Sequence, residues 1–385
     1  MRKLRVGIAS GSRFRLRLEG DYDVVNRGES TCYRPLSAES RVVVDDIVIG
    51  INFHWQQNVT MVLPGEVEVV SHSDGTADLF NILDVDTYLK SVISSEMSAD
   101  APLEFLKAHA IVSRSWVVGK MLHLHAEESV GKVFTPNEIV TWEDTADHCG
   151  FDVCADDHCQ RYQGVARVNE SVVKAIDETS GVILADADGN VIDARFSKCC
   201  GGRTELFSSC WQDIDYQYLP SIEDPYCNPS RLPAERLSRV LDSVLMKYDR
   251  ATGDYYEWTA EVSGGEIRRR MLERHGIATG ELLRLEADRR GPSGRITRLA
   301  IISERGTFHV GKELEIRRLL SDKCLYSSRF DILTAGDGKF ILKGHGWGHG
   351  VGLCQIGAAV MAAEGATCEE ILQHYYPNTD LKKIN

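Results

Sequence analysis

The apolar positions of this chain change period as the sequence advances. Up to about residue 75 they come in short β-rich runs, such as 42–50 and 67–70, broken by Gly, Asn and Asp turns, which predicts a small N-terminal β element over residues 1–75. From Asp84 the period becomes helical: Val85, Leu89, Val92 and Glu96 fall at the i, i+4, i+7, i+11 spacing of one helix face. After a polar break at 97–100, a second stripe carries Phe105, His109, Val112 and Trp116. Asp100 offers a capping residue for that stripe and Pro102 stands near its first helical position. Together they predict a helical hairpin over about 85–125. Strand patterns return at 182–184 and 191–196, separated by the turn signal Asp188, Gly189, Asn190, and at 296–302 and 307–310. Between these pairs, residues 230–275 read as helical, with Leu241, Val244, Leu245 and Tyr248 at helical spacing. Strands gather before and after the helices and do not alternate with them, which predicts an α+β class with mixed sheets and disfavours a doubly wound sheet. Residues 76–385 would form the larger unit.

Three segments carry candidate chemistry. Glu96 places a carboxylate on an apolar stripe, where loss of water disfavours its charged form, the condition under which a carboxylic acid donates a proton. A plainer reading leaves it in the last turn with its head in solvent. Within residues 148–159 stand His148, Cys149, Cys154, His158 and Cys159, a density of soft ligands that suits tetrahedral zinc. A Cys154–Cys159 disulfide or reduced surface thiols compete with that reading. Residues 344–352 form a glycine-rich loop with His345, Trp347 and His349, and Gln355 just beyond. It lacks the Gly-Lys-Ser/Thr ending of a phosphate loop. Glycines let a backbone approach a ligand closely, and the neutral side chains suit sugar hydroxyls, unless the segment is only a tight turn with its His rings packed on Trp347. Cys199, Cys200, Cys210 and Cys227 form a second cysteine group whose spacing favours buried thiols or one disulfide over metal.

Tyr88-Leu89, Val92, Glu96-Met97, Pro102, Leu106-Lys-Ala-His-Ala110 and Arg114-Ser-Trp116 resemble the motif of the SpoIID/LytB family, with His109 in place of the usual Gln and Trp116 in place of the usual Tyr. Phe196 to Glu205 with Trp211, Gly344 to Ala358, and His374 to Thr379 are similar to three further blocks of that family, with Cys354 where Ser is usual. The resemblance covers roughly residues 76 to 380. It implies cleavage of peptidoglycan glycan strands as a lytic transglycosylase with Glu96 as acid. It also implies substrate contacts from Tyr88, Arg114, Thr204, Glu205, His345, Trp347, His349 and Gln355. Zinc is implied on His148, Cys154 and Cys159, with His158, Cys149 or water as fourth ligand. The family also contains glycan-binding enhancers of cell-wall amidases, and a zinc-dependent hydrolase is a third reading. A hydrolase normally needs a second carboxylate, for which Glu205 is the nearest candidate.

Composition narrows the partners. Of 385 residues, 43% are hydrophobic and 26% charged, both globular values. The formal net charge of −13, with no long basic run, argues against nucleic acid. No apolar stretch reaches the roughly 20 residues of a membrane span. Eleven cysteines are an odd number, which argues against a complete disulfide framework. The amino terminus is basic without the apolar run of a secretory signal, so the chain either works in the cytoplasm or lost its signal on export. Family members generally act outside the cytoplasmic membrane.

Overall fold

The computed structural model describes residues 2–51, 53, 55–122, 131–142, 148, 150–156, 158–250 and 255–384. Leu4, Val6 and Ile8 alternate inward along the strand Leu4–Gly11, as a half-buried strand requires. That strand pairs antiparallel with Ala77–Leu83 and parallel with Val153–Cys154, inside a six-stranded sheet. The boundary expected near residue 75 thus falls just before a strand of the same sheet as residues 4–11. A single apolar cluster runs from Leu4 to Tyr376.

Helix α1, Val85–Glu96, follows that strand directly. Asp84 accepts a hydrogen bond from the Thr87 N–H at 2.8 Å and so satisfies one free donor of the first turn. Helix α2, Leu103–Met121, runs back along it to complete the hairpin, whose expected end at 123–125 lies outside the described residues. The cap of α2 is Pro102 with no side-chain bond, so Asp100 does not serve as its cap. Sixteen buried residues line α2, which makes it the central rod of the first core.

A second apolar cluster joins Ile139 to residues between Trp258 and Leu342. Its frame is a five-stranded sheet and a three-stranded sheet of 257–263, 330–335 and 339–345. The expected hairpin of 296–303 with 306–311 is present there. Two expectations need correction. The run 230–275 is not one helical region: helices at 234–244 and 247–250 give way to the strand Glu257–Ser263, where Trp258 and Val262 point inward, before a helix at 264–275. Val182–Ala185 does not form a hairpin with 191–196 either. It pairs with Asp380–Lys383, and only one bridge, Ala185 with Val191, remains of the expected ladder. Among the described residues no helix is long and apolar enough to cross a membrane.

Candidate active site and metal loop

Glu96 ends α1 and is 8% exposed. Its Oε1 accepts the Arg161 backbone N–H at 2.8 Å, and its own carbonyl accepts Lys198 Nζ at 2.8 Å. Lys198 and Arg161 both reach Asp249, at 3.1 and 3.3 Å, and Asp249 is fully buried. Burial pushes Lys198 down against the pull of Asp249; burial pushes Asp249 up, but the two cations outweigh it and hold the carboxyl below its usual range. The acid therefore stands in a buried network of two cations and a second carboxylate. Nothing local in the sequence marked Arg161, Lys198 or Asp249, because their partners lie 51 to 102 residues away.

Glu96 opens onto a cavity of about 420 Å³, the size range of small-ligand sites. One wall carries Trp55, Trp116, His158, Cys159 and Arg161, and the other carries Ser197, Lys198, Trp211, Trp347, His349 and Gln355. Arg161 lies over the Trp55 ring at 4.1 Å and Arg195 over Trp211 at 4.2 Å, which fixes both indoles. Four buried lining atoms, Thr141 Oγ1, Trp142 Nε1, Ser197 Oγ and Glu313 Oε2, have no hydrogen-bond partner among the described residues. Buried polar atoms left open in this way are what a polar ligand satisfies. The rings of the two loop histidines do not pack on Trp347. His349 meets Trp211 edge-on and accepts the Val351 N–H on Nδ1, and burial holds it down at about 3, hence neutral. Gln355 bonds His109 Nε2 at 3.0 Å; burial, then Lys198, holds His109 also at about 3. Gly346 takes a left-handed φ of 75°, and a Cβ there would meet the Cys199 carbonyl oxygen at 2.8 Å.

The loop of 148–159 converges as its composition predicts. Ligand atoms of His148, Cys154, His158 and Cys159 all lie within 4.8 Å of one another. Cys159 Sγ is 3.6 Å from His148 Nε2 and accepts the Cys154 N–H. Hydrogen bonds from Cys159 and the two histidines pull the Cys154 thiol down, while burial pushes Cys159 up, so Cys154 is the readier thiolate. Two sulfurs and two imidazoles at this spacing are a donor set that fits a tetrahedral metal, with His158 in the fourth place. No disulfide joins Cys154 to Cys159. Cys149 lies outside the described residues.

Residues 73–185 match the family described as "Stage II sporulation protein", and residues 205–352 match a domain of unknown function. An uncharacterized protein of Brachyspira hyodysenteriae is 27% identical over 97% of this chain and 90% of its own length. The Stage II sporulation protein D of Bacillus subtilis is 25% identical over 78% of this chain and 75% of its own. The Amidase enhancer of the same species is 24% identical over 76% of this chain and only 40% of its own length. These matches support an assignment to the SpoIID/LytB family.

The SpoIID/LytB motif residues divide into those that reach the cavity and those that build its support. Glu96, Cys159, Trp347, His349 and Gln355 line it. Tyr88 is buried against Tyr162, with its hydroxyl on Gln160. Arg114 pairs with Asp86 at 2.9 Å and holds the Val182 carbonyl. Thr204 accepts the Ile222 N–H and donates to the Pro220 carbonyl. Glu205 is fully buried among Ser209, Ser293 and the Leu206 N–H, and does not line the cavity. His345 sits against Tyr256 near Glu257, also away from it. The cysteine group differs from expectation in membership. Cys199, Cys200, Cys210 and Cys227 are all free and buried, but Cys210 turns aside to the His349 carbonyl while Asp224 and Cys354 join the others.

Proposed function

We propose that this protein cleaves peptidoglycan glycan strands as a lytic transglycosylase, outside the cytoplasmic membrane where that polymer lies. The observation that carries this reading is a buried carboxylate, Glu96, opening onto an indole-walled cavity with unsatisfied polar atoms. Indole faces stack on sugar rings, and the open donors and acceptors suit hydroxyls. Glu96 protonates the glycosidic oxygen, the bond from the anomeric carbon to that oxygen breaks, and an oxocarbenium-like sugar forms. The muramic sugar's primary hydroxyl then attacks the anomeric carbon and closes an anhydro ring. Its proton passes to the Glu96 carboxylate, which restores the acid. The Arg161 N–H holds the carboxylate in place through the cycle.

His148, Cys154, Cys159 and His158 would hold zinc, which at this position ties the loop that delivers Arg161 to Glu96. A bound zinc can also polarise an oxygen.

A hydrolase is the second reading, on one observation. Glu313 lines the cavity, and its Oε2 is buried without a hydrogen-bond partner among the described residues, although Oε1 pairs with Arg317. The products decide. Incubation with denuded glycan strands, followed by mass spectrometry, should give anhydro-muramic ends; reducing ends would establish hydrolysis. Strand binding without cleavage would instead fit an enhancer of cell-wall amidases, the role that the name of one relative supports.

A further inference from the structure

Behind the glycine loop, segments far apart in sequence bring acidic donors together. Cys200 follows the strand Phe196–Ser197, Asp224 and Cys227 come from one loop, and Cys354 precedes the helix Gln355–Glu364. Their ligand atoms all lie within 4.8 Å of one another, and all four residues are buried, at 1% exposure or less. Cys200 Sγ is 3.6 Å from Cys227 Sγ and 3.1 Å from Asp224 Oδ2. We propose that Cys200, Cys227, Cys354 and Asp224 bind a second divalent metal ion of the zinc class, as a structural clamp behind the cavity wall.

Spacing favours a single ion. A tetrahedral ion with bonds of about 2.3 Å holds its ligand atoms roughly 3.7 Å apart, close to the Cys200–Cys227 separation. A polynuclear cluster spreads its cysteines wider. The surroundings favour thiolates. Cys354 Sγ accepts the N–H groups of Cys200, at 3.2 Å, and of Gly357, at 3.4 Å, and it caps the positive end of the 355–364 helix. Three thiolates and a carboxylate around a divalent ion leave excess negative charge. The fully buried Arg295 guanidinium holds the backbone beside the cluster, bound to the Cys200 carbonyl at 3.1 Å. The carboxylate is aimed: Tyr375 donates to Asp224 Oδ2 and the Tyr226 N–H to Oδ1. Gly357 keeps the approach clear, since a Cβ there would stand 2.6 Å from Asp224 Oδ2. Without an ion, these buried acids would each need a proton or a partner. Cys199 stands beside Cys227 and Cys354 but outside the four.

The clamp joins the strand of 196–197 to the start of the 355–364 helix, and so fixes Ser197, Lys198 and Gln355 in the cavity wall.

The test is metal stoichiometry on full-length protein purified under reducing, anaerobic conditions. Cys227→Ser should lose one equivalent that Cys154→Ser retains, and Cys199→Ser should lose none. Retention of the full metal content by Cys227→Ser would overturn the proposal. If Cys227→Ser fails to fold, Cys154→Ser reloaded with cobalt decides. It should show thiolate-to-cobalt charge-transfer absorption from the remaining site, and the absence of that band overturns the proposal. A Cys200–Cys227 disulfide, found by peptide mapping of the protein as isolated, with thiols blocked before digestion, overturns it as well.

Discussion

The two walls of the cavity are built differently. One comes from the ends of α1 and α2, the segment around Trp55 and the loop ending at Arg161, and its cysteines and histidines are neighbours in sequence, partly open to solvent and beside Glu96. The other comes from the glycine loop and the strand Phe196–Ser197 with Lys198 after it, and the cysteines behind it are drawn from segments up to 154 residues apart and sealed from water. Under the proposed function the first wall supplies the proton and the second holds the sugar. A loop that converges on itself can bring ligands to an acid, whereas a wall assembled across the chain needs a fastening of its own.

Glu96→Gln tests that division most severely. It keeps the shape and removes the proton, so turnover on glycan strands should fall by about 10²- to 10⁴-fold while strand affinity holds. Turnover within a few-fold of the parent would remove the first wall's role.

The walls meet at Asp249, which pairs with Arg161 of one and Lys198 of the other. Asp249→Asn removes a buried charge that both cations pair with and should cost about 3–5 kcal/mol in urea unfolding. A change below about 1 kcal/mol would mean that this seam does not bind the walls together.

Trp347→Ala and His349→Ala touch the second wall alone. Each should weaken binding of a glycan oligomer by roughly 5- to 150-fold, or about 1–3 kcal/mol, with metal content unchanged. Calorimetric titration beside thermal melts separates this from a folding defect: unchanged affinity in well-folded protein places the glycine loop outside the binding surface.

The smallest effect concerns pH. His109 is held at about 3 in the fold, against about 6.5 when free. Between those values the unfolded chain binds a proton that the folded chain does not. Stability should therefore fall as pH drops below about 6.5, by about 1.4 kcal/mol per unit, and be unaffected above it. His349 adds a second such term. His109→Gln, which can keep a bond to Gln355, should show a slope shallower than the parent's by up to about 1.4 kcal/mol per unit between pH 6.5 and 5. An unaltered slope would mean that His109 does not stay neutral in the fold.

What the sequence made legible follows the same division. The apolar period of 85–116 located the helical hairpin and put Glu96 at its inner end, because burial of one face of a helix leaves a local trace. Ligand density marked the metal loop for the same reason. Asp249, Lys198 and Arg161 left no trace, since a charge pair across the fold has no period. Asp224 and Cys354 were likewise invisible as partners of Cys200 until three segments met. The expected hairpin at 182–196 failed because its first strand found a different partner in Asp380–Lys383. Helical spacing around residue 245 does not continue into 257–263, where alternation of Trp258 and Val262 against exposed neighbours takes over.

The short parallel ladder between Phe196–Ser197 and Leu353–Cys354 has a consequence for the timing of synthesis. A ribosome releases α1 and its glutamate long before it releases the glycine loop, and a contact between such distant segments forms only after a large loop has closed. The acid is thus made early and its enclosure late. A nascent chain, or one broken off before residue 344, carries Glu96 with an opposite wall that lacks Trp347, His349 and Gln355, so under the proposed function lytic power would come only once the glycine loop is in place.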